Sequence, residues 1–331
     1  VIRIPAWYAA AGKFARILLR LSGSERTGPW PSPLSDSVWI HCASLGEAKG
    51  ALALVGFLPD DIAVTLTSTT VPGRDRLRDW GIEAFLLPCD DRRTVREFLA
   101  ARRIRRALFL EAEAWPAILD ALGGSGIPTA FAAFRTSPRS MSRWRALGKV
   151  FPGWTDSVDT VWTDRPEDVA TSLSLGFRRV RPGTSLKWAG IPLPQATGEG
   201  PDAAISIHLK DLPTLRALVR HSQGRGWLWF PRRPWQAPAF RLCARLSGLR
   251  PVETASPGPG QVYVSARFGE VAELLPGCAS AWVSPGHDTE EPHRLGAASV
   301  STGRPSRDVP RPDVQADSVA AEVAAWISGG A

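Results

Sequence analysis

The chain has 331 residues, 44% of them apolar and 22% charged, which excludes a disordered chain and is enough for two domains of ordinary size. A net charge of +8 and a pI near 9.9 point to an anionic partner: nucleic acid, an acidic membrane surface or a phosphorylated substrate. No apolar run is long enough to span a bilayer and no secretory leader is read; Cys42, Cys89, Cys243 and Cys278 form no CxxC, which argues against a zinc site or disulfide framework and for a reducing cytoplasm.

The first residue is Val, as expected of a chain with an upstream piece missing or of an alternative start codon translated literally. Trp7 to Leu21 has helical spacing, with Phe14, Ile17, Leu18 and Leu21 on one face and Lys13, Arg16 and Arg20 beside it. Such a helix suits an anionic membrane surface, or it docks on its own domain. A Gly/Pro/Ser connector, Ser22 to Asp36, leads to the strand Val38 to Ala43, a turn through Ser44, Leu45 and Gly46, and a helix opening at Glu47. Strands are then predicted at 62–67, 84–87, 107–110, 129–134 and 160–163, with helices from 74, over 93–101 and over 166–175. Ala189 to Asp202 reads as a linker. Beyond it strands are predicted at 204–208, 227–230, 262–265, 281–284 and 298–301, with helices at 212–219, 238–246, 270–275, 290–295 and 318–327. This alternation implies α/β architecture: two Rossmann-like parallel-sheet domains, residues 1–190 and 191–331, facing each other across a central cleft. Neither a GxGxxG fingerprint nor a Walker A loop is present.

Strand ends on one sheet edge share a mouth, and open α/β proteins place ligands there. In the first domain these ends carry Ser44, Gly46 and Glu47, then Thr69, Thr70 and Gly73, then Glu111 and Glu113, then Arg135, Ser137 and Arg139. Glu47 is the candidate catalytic base. The same residue also completes a capping box with Ser44, a purely structural role. Glu111 and Glu113 either bind ligand or cap the helix at Trp115-Pro116. In the second domain Arg232 follows a strand and can grip phosphate. Gly269-Glu270 and Gly286-His287, with Glu291, open helices where anions bind. Lys187, in a chain that uses lysine at five positions, is read as a phosphate contact reaching into the cleft or as a surface charge.

These motifs resemble those of the 3-deoxy-D-manno-octulosonic acid (Kdo) transferases of Gram-negative lipopolysaccharide synthesis. Trp39 to Glu47 resembles the family's WIHavSvGE, Leu66 to Gly73 its lTtTTpTG, and Glu111 to Pro116 its EtELWP, followed by Gly126-Ile127-Pro128. Arg135, Ser137, Arg139 and Ser140 are similar to part of NaRlSeRS, and Thr184 to Trp188 to a GNLKFD-like segment. Pro231 to Pro234 resembles aPRHP, and Gly286 to Pro292 resembles GGHNpLEP. Order and spacing hold from about Val38 to Gly303, as in a divergent and shortened member.

The resemblance implies a GT-B glycosyltransferase that moves Kdo from CMP-Kdo to a lipid A precursor. It implies a peripheral location on the cytoplasmic side of the bacterial inner membrane, no metal or other cofactor, no nucleic acid partner, and a monomer. Glu47 would be the base. Ser44, Gly46, Thr70, Gly73, Glu111, Glu113 and Arg135 would bind acceptor; Lys187, Arg232, Gly269, Glu270, Gly286, His287 and Glu291 would bind donor. The chain departs from the family at Ala133, Ala189, Arg233, Asp288, Ala266 and Arg267, and its STHEGE-like segment is reduced to Ser206 and His208, all but Ala133 on the donor side. Two other readings therefore stand: a GT-B transferase with a different donor, and a non-catalytic paralogue that binds lipid or nucleotide.

Overall fold

A computed structural model describes residues 2–329 apart from 34, 44, 112, 137, 191–199, 222–223, 268–269, 286–289, 304–306 and 309–315. It divides into two compact units, Val1–Gly190 with Val314–Ala331, and Ile191–Asp313.

The first unit opens with α1 (Ala6–Leu21), then β1 (Ser37–Cys42), α2 (Leu45–Val55), β2 (Ala63–Ser68), α3 (Val71–Asp79), β3 (Ala84–Leu86), α4 (Arg92–Ala101), β4 (Ile104–Leu110) and α5 (Pro116–Gly124). Then come β5 (Thr129–Phe134), α6 (Pro138–Val150), β6 (Thr160–Thr163), α7 (Asp168–Ser174) and β7 (Val180–Arg181). The sheet order is β3-β2-β1-β4-β5-β6-β7, all pairs parallel. Every residue of β1 is buried, as both faces of a central parallel strand must be. One face carries Trp39, which packs edge-on against Phe98 of α4 and Phe109 of β4. Helix starts obey local chemistry: Thr70 and Asp91 cap α3 and α4 by accepting the amides of Gly73 and Thr94. At the amino ends of the strands the polar groups saturate one another. Buried Arg102 donates to Thr65 Oγ1, the Pro31 carbonyl and Glu83, and Ser37 Oγ donates to the Arg102 carbonyl.

The second unit contains β8 (Asp202–Ile207), α8 (Leu212–His221), β9 (Trp227–Pro231), α9 (Ala237–Leu246), β10 (Arg250–Val252), β11 (Gln261–Val264), α10 (Glu270–Leu274), β12 (Ser280–Val283), α11 (Glu290–Arg294), β13 (Ser299–Thr302) and β14 (Arg307–Asp308). Its order is β10-β11-β9-β8-β12-β13-β14, parallel except for β14.

The last helix, α12 (Ala316–Ser328), differs from its sequence-based placement in the second domain. It buries Val319, Ala320, Val323, Ala324 and Ile327 in the first unit. Trp326 meets Trp162 edge-on and takes the Arg106 guanidinium over its ring at 5.1 Å, while Arg181 pairs with Glu322. An amphipathic pattern shows that α12 has a buried face but not which sheet covers it. Ile327→Ala should lower the opening free energy of β4 and β6 amides by about 2–5 kcal/mol and leave β8 and β9 unchanged in hydrogen exchange.

Candidate functional site

In the first sheet the strand order reverses between β1 and β4, so β1 leads outward on one side and β4 on the other. At such a switch point the two loops part and leave room for a ligand at the carboxyl edge. The loop after β1 leads to Glu47 and the loop after β4 leads to Glu111 and Glu113.

Glu47, half-buried in the first turn of α2, accepts the Ala43 N–H through Oε2. That bond ties the start of the helix to the end of β1, one residue before the N–H that a Ser44–Glu47 capping box would use. Ser44 lies outside the described residues. The helix N-terminus favours an ionised carboxylate here. Cys42, with Glu47 close enough to feel its charge, is no thiolate: burial first, then that charge, pushes its thiol up to about 12.

Glu113 is the centre of a denser arrangement. Its Oε2 accepts from Thr69 Oγ1 (2.9 Å), Trp115 Nε1 (3.2 Å) and His41 Nε2 (3.3 Å). An ionised carboxylate accepts only, so Nε2 carries the imidazole proton and Nδ1 accepts from the Thr67 hydroxyl (2.9 Å). Thr67 Oγ1 in turn accepts from Trp39 Nε1 (2.8 Å). The chain therefore runs from the core of the sheet to its carboxyl edge. His41 has no exposed surface, and burial holds its pKa below the ordinary value despite the hydrogen bond to Glu113, so the ring is neutral. Burial pulls Glu113 upward, but the bonds from His41, Thr69 and Trp115 outweigh it and leave the carboxyl below its usual range. A carboxylate held this way is a fixed acceptor for hydroxyl or amine groups rather than a ready base.

The other first-unit candidates divide. Glu111 has a left-handed φ of 58° and an exposed side chain; Glu113, not Glu111, meets His41. Trp115 is the N-cap of α5 and makes no side-chain bond to it, and the Glu113 carboxylate is directed at His41, Thr69 and Trp115 Nε1 instead. Thr70 caps α3, which begins at Val71 rather than at 74. Gly73 is buried where an added Cβ would overlap Ser68 Oγ, so close packing explains it. Gly46 is the second residue of α2. Arg135 is exposed and 3.9 Å from Asp164. Among the non-glycine described residues, Glu111, Ala133 and Ser206 have positive φ at strand ends on the two carboxyl edges.

The second sheet reverses between β8 and β12. There a pocket of about 340 Å³ is lined by Lys210, Asp211, Thr214, Trp282 and Pro285. Buried Asp211 joins its two sides, accepting from the His208 amide and from Ser284 Oγ, both at 2.8 Å. Arg232 is exposed at the end of β9. Glu270 is engaged within its own loop by Ser265 Oγ (2.5 Å) and Tyr263 OH (3.2 Å). Glu291 is half-buried in α11. Lys187 belongs to a 3₁₀ turn, Leu186–Trp188, that packs on α2 in the first unit; its backbone N would lie 3.3 Å from a Cβ at Gly50. Gly269, Gly286 and His287 lie outside the described residues. Among the described residues no group of three or more His, Cys, Asp or Glu is placed to hold a metal ion. The sequence reading missed His41, Thr67, Trp115, Lys210, Asp211 and Thr214. A histidine inside an otherwise apolar strand was the available signal.

Residues 18–189 match the family profile described as 3-deoxy-D-manno-octulosonic-acid transferase (kdotransferase). The 3-deoxy-D-manno-octulosonic acid transferase of Bordetella pertussis is 34% identical over 175 residues, 50% of this chain and 41% of that protein. The Haemophilus influenzae protein of the same name is 30% identical over 137 residues, 40% and 30% of the two chains. The chain thus spans less than half the length of the curated relatives it matches. Among solved structures, UDP-GlcNAc 2-epimerase from Neisseria meningitidis has a TM-score of 0.55 at 12% identity, covering 79% of this chain and 80% of that one. Acinetobacter baumannii MurG has a TM-score of 0.51 at 10% identity, covering 76% and 72%.

The neutral, buried imidazole makes a testable demand. Its folded pKa is below its unfolded one, so the unfolded chain binds more protons and stability falls as pH drops through about 6.5, by at most about 1.4 kcal/mol per pH unit. Glu113 acts in the same direction at lower pH. His41→Gln keeps an N–H donor toward Glu113 and cannot titrate. Denaturant unfolding of the first unit at pH 7.5 and 5.5 should show a smaller loss for the variant; equal losses would contradict a neutral His41.

Proposed function

Because the chain belongs to the 3-deoxy-D-manno-octulosonic-acid transferase family, we propose that it is a glycosyltransferase moving Kdo from CMP-Kdo to a lipid A precursor. Its fold is of the GT-B class, with two Rossmann-like parallel-sheet units. The supporting observation is that the first unit's switch point is flanked by Glu47 and Glu113, both inside the family-matched segment.

In this reading the acceptor hydroxyl is oriented by Glu113, whose carboxylate is fixed by His41, Thr69 and Trp115. Glu47 takes the hydroxyl proton as the oxygen bonds to the anomeric carbon of Kdo, a step worth roughly 10²–10⁴ in rate. The bond from that carbon to the CMP oxygen breaks, and CMP leaves with the electron pair. Arg232, exposed at the end of β9, is assigned to the leaving phosphate.

The acceptor's setting is proposed to be the cytoplasmic face of the inner membrane, bound peripherally through α1. Its inner side is tied down by Tyr8 to Asp90 (2.5 Å) and Arg16 to Asp91 (3.2 Å). Phe14, Ile17, Leu18 and Leu21 remain exposed beside Lys13 and Arg20. Among the described residues no helix is long and apolar enough to cross a membrane.

The departures at Ala189 and Arg233 favour keeping a second donor in view. Purified protein mixed with CMP-Kdo and a lipid A precursor should release free CMP and raise the lipid mass by one or more Kdo units. Turnover with a UDP- or GDP-sugar instead would reassign the donor. Lipid binding with no turnover on any donor would establish the non-catalytic reading.

A further inference from the structure

The second unit presents a surface that the transfer reaction does not use. Between Asp211 and Glu253 the sequence contains no acidic residue and eight arginines. The fold gathers part of this stretch on two neighbouring helices: Arg216 of α8 donates through Nε to Ser247 Oγ at the end of α9 (3.2 Å). The inner face of α9 is conventional, with Ala237, Phe240 and Ala244 buried and Phe240 edge-on to Trp229. Its outer face is not. Trp235, in the 3₁₀ turn that precedes α9, is 71% exposed, Leu242 57% and Leu246 68%. Their spacing of seven and four residues aligns them in one stripe. Arg245 and Arg250 are exposed beside it.

Three large apolar side chains in one exposed stripe favour a covered state. The charge around them selects the cover. In a twofold pairing of this face with a second copy, the acid-free stretch would meet itself and set arginine near arginine. A nucleic acid would satisfy the arginines and leave both leucines without an apolar partner. A bilayer with acidic head groups satisfies both: the stripe enters the acyl boundary, Trp235 sits at the interface, and the arginines extend to the phosphates.

We propose that the outer face of α9, with Trp235, is a docking surface for an anionic lipid bilayer, distinct from α1 and independent of the transfer reaction. The test is flotation of the full chain with vesicles of phosphatidylglycerol mixed with phosphatidylcholine, and with phosphatidylcholine alone. It uses W235S/L242S/L246S, the α1 variant F14S/L18S, and their combination. Exposed positions leave the melting temperature in place, and R245E/R250E provides a second route that leaves the stripe intact. Partition onto anionic vesicles should fall about tenfold or more in the α9 variant and again in the combination, and R245E/R250E should weaken binding most at low salt. Unchanged partition in both the wild-type and α1-variant backgrounds overturns the proposal. So does equal binding to phosphatidylcholine alone, or a concentration-dependent dimer of the wild type that the α9 variant abolishes while vesicle binding persists. Unchanged partition of F14S/L18S, with partition lost in the α9 variant, would remove the α1 assignment and support the α9 surface.

Discussion

The constraint on which the first unit depends is the parallel pairing of β1 with both β2 and β4. Parallel strands all release their chain at the same edge, so the segments leaving β1, β2 and β4 come together there whatever the sequence distance. His41 from β1, Thr69 after β2 and Glu113 after β4 meet within hydrogen-bond distance for that reason. The opposite edge has polar groups of its own, but Arg102, Ser37 and Thr65 consume one another there. Polarity at the amino edge therefore holds the sheet, and polarity at the carboxyl edge is arranged around a carboxylate.

Two glutamates share that edge with different local physics. Glu113 is fixed by three donors on one oxygen, which favours its charge and fixes its direction. Glu47 has a backbone amide from the end of β1 and a helix start behind it. A cap and a base make compatible demands on Glu47, since both need the carboxylate ionised and aimed back toward the strand end. The bond from the Ala43 N–H is structural; the proposed chemistry asks more of the same carboxylate.

Much of this was legible in the sequence. The strands at 129–134 and 160–163 were read to the residue because buried parallel strands appear as short apolar runs between turn signals. β7 and β10 were not, being two and three residues long, the latter with a proline on a sheet edge. α6 was also missed: its apolar residues are few among arginines and serines, although Trp144 is buried. At the site, Glu47 and Glu113 stood out as charges beyond strand ends. Among their partners Thr69 did as well, but Thr67 and Trp39 look like ordinary strand residues until the register sets them beside His41. Likewise Asp211 reads as a surface residue, and only the β8–β12 neighbourhood shows it bridging two loops.

The central claim is that the Glu47 carboxylate removes a proton and does not merely close a helix. Glu47→Gln separates the two, because the amide oxygen can still accept the Ala43 N–H while the side chain can no longer take up a proton. Transfer rates of Glu47→Gln and Glu47→Ala, measured beside their unfolding midpoints, decide it. The account predicts a loss of roughly 10²–10⁴-fold in Glu47→Gln with little change in stability. Full activity in Glu47→Gln, with Glu47→Ala destabilised by about 0.5–2 kcal/mol, would show a cap and nothing more.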